Sequence, residues 1–237
     1  MGTQMVFKRY ELKYLITKSQ KEKILQAMEP YMELDKYGRS TIRNVYYDTD
    51  NYRLIRKSLE KPVYKEKLRV RSYHTTGPED EVFVELKKKY KSVVYKRRIK
   101  LGCARATDYL AGKSKPPKKN QITDEIDYFL EFYGTLKPRV FLSYEREAYY
   151  TKEPSEFRVT FDENILWRNE DMDLEKGIYG EAILPPDMAL MEVKTADAIP
   201  LWFVDILSEL KIYKTSFSKY GNAYQTIYER SKITNVG

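Results

Sequence analysis

The chain has 237 residues, 42% of them hydrophobic, enough for one large domain or two small ones with a sizeable core, which excludes a largely disordered protein. Its formal charge of +8 points to an anionic partner such as nucleic acid, a phosphorylated small molecule or an anionic membrane surface. A single cysteine, Cys103, excludes an intrachain disulfide and a cysteine-based zinc site, and no window approaches the ~20 apolar residues of a membrane helix.

The opening stretch MGTQMVFKRYELKYLITKSQ lacks the apolar run of a signal peptide, so the cytoplasm is the expected location. Met1-Gly2 resembles a myristoylation start but has no Ser or Thr at position 6, and it reads instead as a cloning remnant. VFKRYELKYLI sets Arg9, Glu11 and Lys13 on one face and Tyr10, Leu12 and Tyr14 on the other, the period of a strand. In TKSQKEKILQAMEPYMELD, Ile24, Leu25, Met28 and Met32 fall at helical spacing behind a capping box of Thr17 and Gln20 or Ser19 and Glu22. STIRNVYYDT predicts a strand, with Asp48 as its end or as the cap of the short helix DNYRLIRKSL.

VYKEKLRVRSY places Lys65, Lys67, Arg69 and Arg71 at every second position, so a strand would carry four cations in one row. Neighbours about 6.7 Å apart repel by about 2.5 kcal/mol at an effective dielectric of about 20. Such a row must be solvated, neutralised or used. His74, the single histidine, follows at a strand end and has no partner for a His-centred triad. EVFVELKKKY and SVVYKRRIKL predict a strand pair: Val82, Val84 and Leu86 oppose Phe83, Glu85, Lys87 and Lys89 in the first, and Lys96, Arg98 and Lys100 share a face in the second.

ARATDYLAG, KSKPPKKNQ and ITDEIDYFLEFYG read as helix, basic loop and helix. Three further strands, RVFLSYEREAYY, FRVTFDENILWR and ALMEVKT, precede the helices PLWFVDILSELKIY, with Pro200 in its first turn, and SKYGNAYQTIYERS. No solenoid repeat and no linker break the chain, so residues 1–237 are expected to form one domain. The 22 tyrosines, with Trp167 and Trp202, read as packing residues. Charged strand faces opposite apolar ones invert the ordinary small barrel, whose interior is apolar. An α+β fold satisfies this pattern if an antiparallel, closed or nearly closed sheet turns its charges inward and packs helices outside.

Glu-x-Lys recurs at 11–13, 85–87 and 192–194, each time setting a carboxylate beside an ammonium on one strand face. Taken singly these are also cross-strand charge pairs on a wet sheet, worth about 0.2–1 kcal/mol each. In order, however, RYELKY, LRVRSY, FVELKKK, SYERE, FRVTFD, MEVKT and TSFSKYG resemble the VTC domain, the catalytic module of eukaryotic vacuolar transporter chaperone complexes and of related bacterial proteins. That family lies in the CYTH, or triphosphate tunnel metalloenzyme, superfamily, and the likeness spans residues 6–228.

The resemblance implies an antiparallel β-barrel tunnel of eight strands whose basic walls bind triphosphate, with Mn²⁺ or Mg²⁺ held by glutamate. It implies an ATP-dependent polyphosphate polymerase, which moves the γ-phosphoryl group of ATP onto inorganic polyphosphate and releases ADP. Its partners would be ATP and polyphosphate rather than nucleic acid, and export across a membrane would need another protein. Matched motif by motif, the phosphate-binding positions are Lys13, Arg69, Arg71, Lys87, Lys96, Arg146 and Arg158, and the metal ligand is Glu192. Lys194, Ser218, Lys219 and Arg71 would act at the reacting phosphate. Glu11, Glu85 and Asp162 would be accessory, Asp162 orienting Arg158 or approaching the metal.

Arg9 stands where hydrolytic relatives carry the first acid of Glu-x-Glu-x-Lys, which leaves fewer carboxylates to activate water and favours transfer to a terminal phosphate. Phosphoryl transfer needs alignment and charge neutralisation, which arginine forks, lysine point charges and a hard ion supply without a covalent nucleophile. Lys65 and Lys67 share the face but not the motif and are expected nearer an entrance, steering the polyanion. Three other readings stand beside this one: a triphosphatase of the same fold, a polyphosphate sensor without turnover, and a nucleic-acid binder. The last is disfavoured by glutamates alternating with the cations.

Overall fold

The computed structural model describes residues 10–234 except 92, 117 and 197, so Arg9 and the Met1-Gly2 start lie outside the described residues. The strands are β1 (Tyr10–Thr17), β2 (Met32–Leu34), β3 (Ser40–Asp48), β4 (Tyr64–Ser72), β5 (Glu81–Tyr90), β6 (Val93–Gly102), β7 (Lys137–Thr151), β8 (Arg158–Arg168), β9 (Glu181–Ala182) and β10 (Met188–Thr195). The helices are α1 (Lys18–Met28), α2 (Arg53–Leu59), α3 (Cys103–Leu110), α4 (Gln121–Tyr133), α5 (Leu201–Glu209) and α6 (Lys219–Thr234). None of these helices is long and apolar enough to cross a membrane.

Local chemistry sets several boundaries. Thr17 caps α1: its hydroxyl accepts from Gln20 N at 3.1 Å while Gln20 Oε1 accepts from Thr17 N at 3.0 Å, the reciprocal box that satisfies two orphan donors. Glu29 still has helical angles (φ −52°, ψ −40°), and the helix stops at Pro30, which has no backbone N–H to continue the ladder. Met32 therefore lies in β2 and not on the expected helix face, yet it remains buried beside Ile24 and Met28. Asp48 accepts from the backbone N–H groups of Leu54 (2.9 Å) and Ile55 (3.0 Å) in α2 and from Tyr220 Oη (2.9 Å), which fixes it as a buried cap.

The fold is α+β, with every strand pair antiparallel. The order is β1-β10-β8-β7-β3-β4-β5-β6, with β2 added to β7 and β9 to β8. Of the expected closed or nearly closed barrel, full closure is not found: among the described residues β1 and β6, the two edges, share no backbone ladder. The Lys13 carbonyl on β1 accepts instead from Thr215 N at 2.8 Å, so a crossing segment takes the edge that β6 would need. Side chains bridge the seam, Lys87 on β5 reaching Glu11 on β1 at 2.6 Å.

Apolar residues cover the outer face in two clusters. One sets Leu68, Val70, Val84 and Leu86 against Ala106 of α3 and Ile126 and Phe129 of α4. The other sets Tyr14, Ile16, Met191 and Val193 against Ile24 of α1 and Phe203 of α5. A third cluster lies on the inner parity, where Ile42, Leu142 and Leu190 meet Tyr220 and Ala223 of α6. The C-terminal helix thus covers one end of the curled sheet, and the charged residues line the space that remains.

Candidate functional site

That space is a cavity of about 630 Å³ lined by thirteen lysines and arginines against three glutamates. It draws on β1, β3, β4, β5, β6, β7 and β10, on α2, and on the start of α6 with the segment leading into it. Of the residues singled out in the sequence, Glu11, Lys13, Arg69, Arg71, Lys87, Lys96, Arg146, Glu192, Lys194, Ser218 and Lys219 all reach it.

Four carboxylates organise the cations. Glu192 has Lys219 at 3.2 Å, Arg146 at 3.3 Å, Lys194 at 3.6 Å and Lys13 at 3.7 Å. Burial alone would raise its carboxyl, but Lys219, Lys13, Arg146 and Lys194 together hold it well below the usual range. Asp162, fully buried behind, accepts two hydrogen bonds from Arg146 (2.5 and 2.6 Å) and one from Lys219 (2.5 Å). The arginine it orients is therefore Arg146. The expected alternative, Arg158, shares the inner parity but packs over the Tyr150 ring at 4.0 Å and does not line the cavity.

Glu85, also fully buried, accepts from Arg69 Nε (2.9 Å) and Nη2 (2.7 Å), with Lys96 at 3.5 Å and Arg71 at 3.9 Å. Burial pushes its carboxyl upward, but Arg71, Arg69 and Lys96 pull it far below the carboxylate range. Glu11 is brought to about 2 in the same way, burial being outweighed chiefly by Lys87 and Lys194. Burial carries Lys96 down to about 8, a drop that Glu85 opposes and Arg71 and Arg69 reinforce.

Asn44, Tyr46 and Tyr144 join the site without having been singled out in the sequence. Asn44, fully buried on β3, accepts from Arg71 Nε at 2.9 Å and donates to the Leu142 carbonyl at 3.2 Å. Tyr46 and Tyr144 accept from Arg69 and Arg71 at 3.0 Å. The Ser218 hydroxyl accepts from Gly221 N at 3.0 Å inside the first turn of α6 and from Lys67 Nζ at 3.1 Å. Lys67 therefore belongs deeper than the entrance position expected for it: burial, then Lys13, Lys87, Lys65 and Arg69, push its ammonium well below its ordinary value. Strand parity places Lys67 on the cavity face and could have placed Tyr144, two residues before Arg146, but not the long-range contacts of Asn44.

Among the described residues, no three metal-ligating side chains converge. Of the three glutamates lining the cavity, Glu66 accepts from the Tyr64 and Tyr133 hydroxyls, while Glu192 and Glu11 lie on paired strands where Glu11 opposes Lys194 and Lys13 opposes Glu192. Such a pair fits a hard divalent ion whose remaining ligands are phosphate oxygens, and does not fit zinc.

Among curated proteins, none matches the chain significantly. In solved structures the fold resembles a candidate adenylate cyclase from Bacillus halodurans, at 16% identity and a TM-score of 0.57, over 89% of this chain and 95% of that one. A candidate adenylate cyclase from Vibrio parahaemolyticus aligns at 12% identity and a TM-score of 0.49 over 94% and 99%. A Mimivirus capping enzyme triphosphatase aligns at 12% identity and 0.38 over 86% of each chain. The VTC domain model matches residues 8–228, nearly the whole of the sequence, and the chain accordingly belongs to the VTC domain family.

Proposed function

We propose that the protein is an enzyme acting on triphosphates, and specifically an ATP-dependent polyphosphate polymerase. The observation that carries this reading is the inner chamber, where eight cations meet four carboxylates and the single histidine, His74, lies outside the lining. Such a wall neutralises and aligns phosphates and offers no histidine base to activate a hydroxyl nucleophile.

In this reading Arg69, Arg71 and Lys96 hold one set of phosphate oxygens, and Lys13, Arg146, Lys194 and Lys219 hold the group in transfer. Bidentate arginines fix orientation, while charge-assisted hydrogen bonds of roughly 1.5–3 kcal/mol each hold the polyanion. Lys219 is kept in place by Asp162 and Glu192, and the Ser218 hydroxyl has its proton available to a phosphate oxygen. Glu192, with Glu11, would hold Mn²⁺ or Mg²⁺, whose charge would offset that building on the phosphate oxygens. The acceptor, a terminal phosphate of polyphosphate, is already anionic near neutral pH and needs no base.

Incubation with ATP and Mn²⁺ should yield ADP and a polymer resistant to nuclease but degraded by exopolyphosphatase. Glu192→Gln and Arg71→Ala should abolish it. Release of orthophosphate with no polymer would establish the triphosphatase reading in its place.

A further inference from the structure

A second cavity, of about 420 Å³, lies between α2 and α6 and is lined mainly by Asn51, Tyr52, Arg56, Tyr224, Ile227 and Tyr228. It shares no lining residue with the charged cavity, which takes Ser58 and Leu59 from α2 and Lys219 and Tyr220 from α6. The same helix pair therefore serves two separate hollows.

The walls of this groove are aromatic. The Tyr52 and Tyr224 rings meet at 5.1 Å and 49°, and Tyr224 and Tyr228 at 6.1 Å and 22°, a near-parallel offset that leaves part of each ring face uncovered. Tyr52 is set there by a backbone in the left-handed region, φ +57°, which a bulky residue rarely adopts and which marks places where the fold overrides local preference. Among the described residues the hydroxyls of these three tyrosines make no hydrogen bond.

Charge decides what the groove takes. No carboxylate lines it. Arg56, exposed, forms no ion pair among the described residues, and its hydrogen bond is from Nη1 to the Asn51 carbonyl at 3.4 Å. Its guanidinium is close enough to Tyr224 to oppose the rise that burial gives that phenol. Asp50, beside Asn51, is taken by Lys137 at 3.1 Å and Arg139 at 3.6 Å. A cationic ligand is disfavoured, because cations already lie over the rings: Arg139 is 4.2 Å from the Tyr52 centroid and Lys232 4.6 Å from that of Tyr228. The Asn51 amide oxygen accepts from the Thr49 hydroxyl at 2.7 Å, which turns its exposed Nδ2 donors to the ligand side.

We propose that this groove is a second nucleotide site, which takes a nucleoside monophosphate with its base on Tyr224 and Tyr228 and its phosphate on Arg56. Stacking on tyrosine suits any base, and an asparagine amide can meet a purine edge. The volume falls in the range of small-molecule pockets. One arginine fork matches one phosphate, whereas a triphosphate finds its counter-charges in the other cavity. The site stands whether or not the charged cavity makes polymer.

The test is calorimetric titration with AMP of protein already saturated with tripolyphosphate, so that the charged cavity is filled. AMP should still bind. Arg56→Met should weaken AMP about tenfold, the lower end for one charge-assisted hydrogen bond, and leave adenosine unchanged. Tyr228→Leu should weaken both at least about fivefold through lost stacking. Both side chains are exposed, so the melting temperature should not move in either variant. Loss of AMP binding in the saturated protein would overturn the proposal, as would equal AMP affinity in wild type and variants. Binding of tetramethylammonium or a proline-rich peptide in place of AMP would also overturn it. Failure of tripolyphosphate to bind would instead remove the phosphate reading of the charged cavity, while AMP binding sensitive to Arg56 and Tyr228 would still uphold the groove.

Discussion

Removing Glu85 should make the empty protein less stable and its phosphate complex comparatively more so. In Glu85→Gln the shape and one hydrogen-bond acceptor remain for Arg69, but the charge that joins Arg69, Arg71 and Lys96 is gone. Breaking a buried ion pair costs about 3–5 kcal/mol, because the surviving partner is left uncompensated. Here Arg69 and Lys96 keep 14% and 21% side-chain exposure to the cavity, so water softens the loss to about 3 kcal/mol. At about 2–4 °C per kcal/mol for a chain of this size, melting should fall by about 6–12 °C. The chamber's excess positive charge rises by one, so saturating tripolyphosphate should recover more stability in the variant than in the wild type. The acid limb supplies a second check. A carboxyl whose pKa is lower folded than unfolded stabilises above the unfolded value and loses that contribution as pH falls through the folded one. Glu85 lies far below the usual range, so the deficit of the variant should persist across pH 5–8. Thermal melts with and without tripolyphosphate decide the matter: an unchanged melting temperature, or a deficit that the ligand leaves untouched, would refute the counter-ion role.

Lys96, at about 8 when the cavity is empty, should take up a proton when phosphate binds. The binding enthalpy near pH 8 should therefore vary with buffer ionisation heat, affinity should fall as pH rises through 8, and Lys96→Met should reduce both effects. Asp162→Asn releases the grip on Arg146 and Lys219, and turnover should drop about a hundredfold, the scale of an ångström-sized misplacement, with a smaller change in KM. Gly221→Ala would bring a methyl group to 2.9 Å from Leu59 Cδ2 and 3.0 Å from Ser218 Cβ. Overpacking of this kind costs about 1–3 kcal/mol, and because Ser218 is pushed, steady-state assays should show kcat falling alongside the melting temperature.

Alternation made the long strands legible, since a face bearing Glu11 and Lys13 or Arg69 and Arg71 cannot turn toward an apolar core. The same parity carried most of the site, because residues two apart on one strand enter the cavity together. What parity could not supply was the partner across space. Asp162 was tied by sequence to Arg158, four residues away on its own strand, whereas its geometry serves Arg146 on β7 and Lys219 on α6. Arg158 instead stacks on Tyr150, its register partner on β7. The open seam was equally invisible, for it depends on Thr215 taking the Lys13 carbonyl. That is a backbone competition between segments some two hundred residues apart.

A sheet that turns charge inward loses the apolar interior that usually holds a barrel together, and the arrangement of helices answers that loss. The clusters under α1 and α5, and under α3 and α4, move the core to the outer face, leaving the inner face free to be polar. α6 then serves two purposes on one helix. Tyr220 and Ala223 close the apolar end against Ile42, Leu142 and Leu190, while Lys219, immediately before Tyr220, projects to Asp162 and Glu192. The Tyr220 hydroxyl, bonded to the α2-capping Asp48, ties this start of the helix to the end of β3. Placement of Lys219 is thus coupled to packing of the plug, and a substitution such as Ala223→Val, aimed only at the apolar end, should displace the ammonium and reduce turnover before it unfolds the chain.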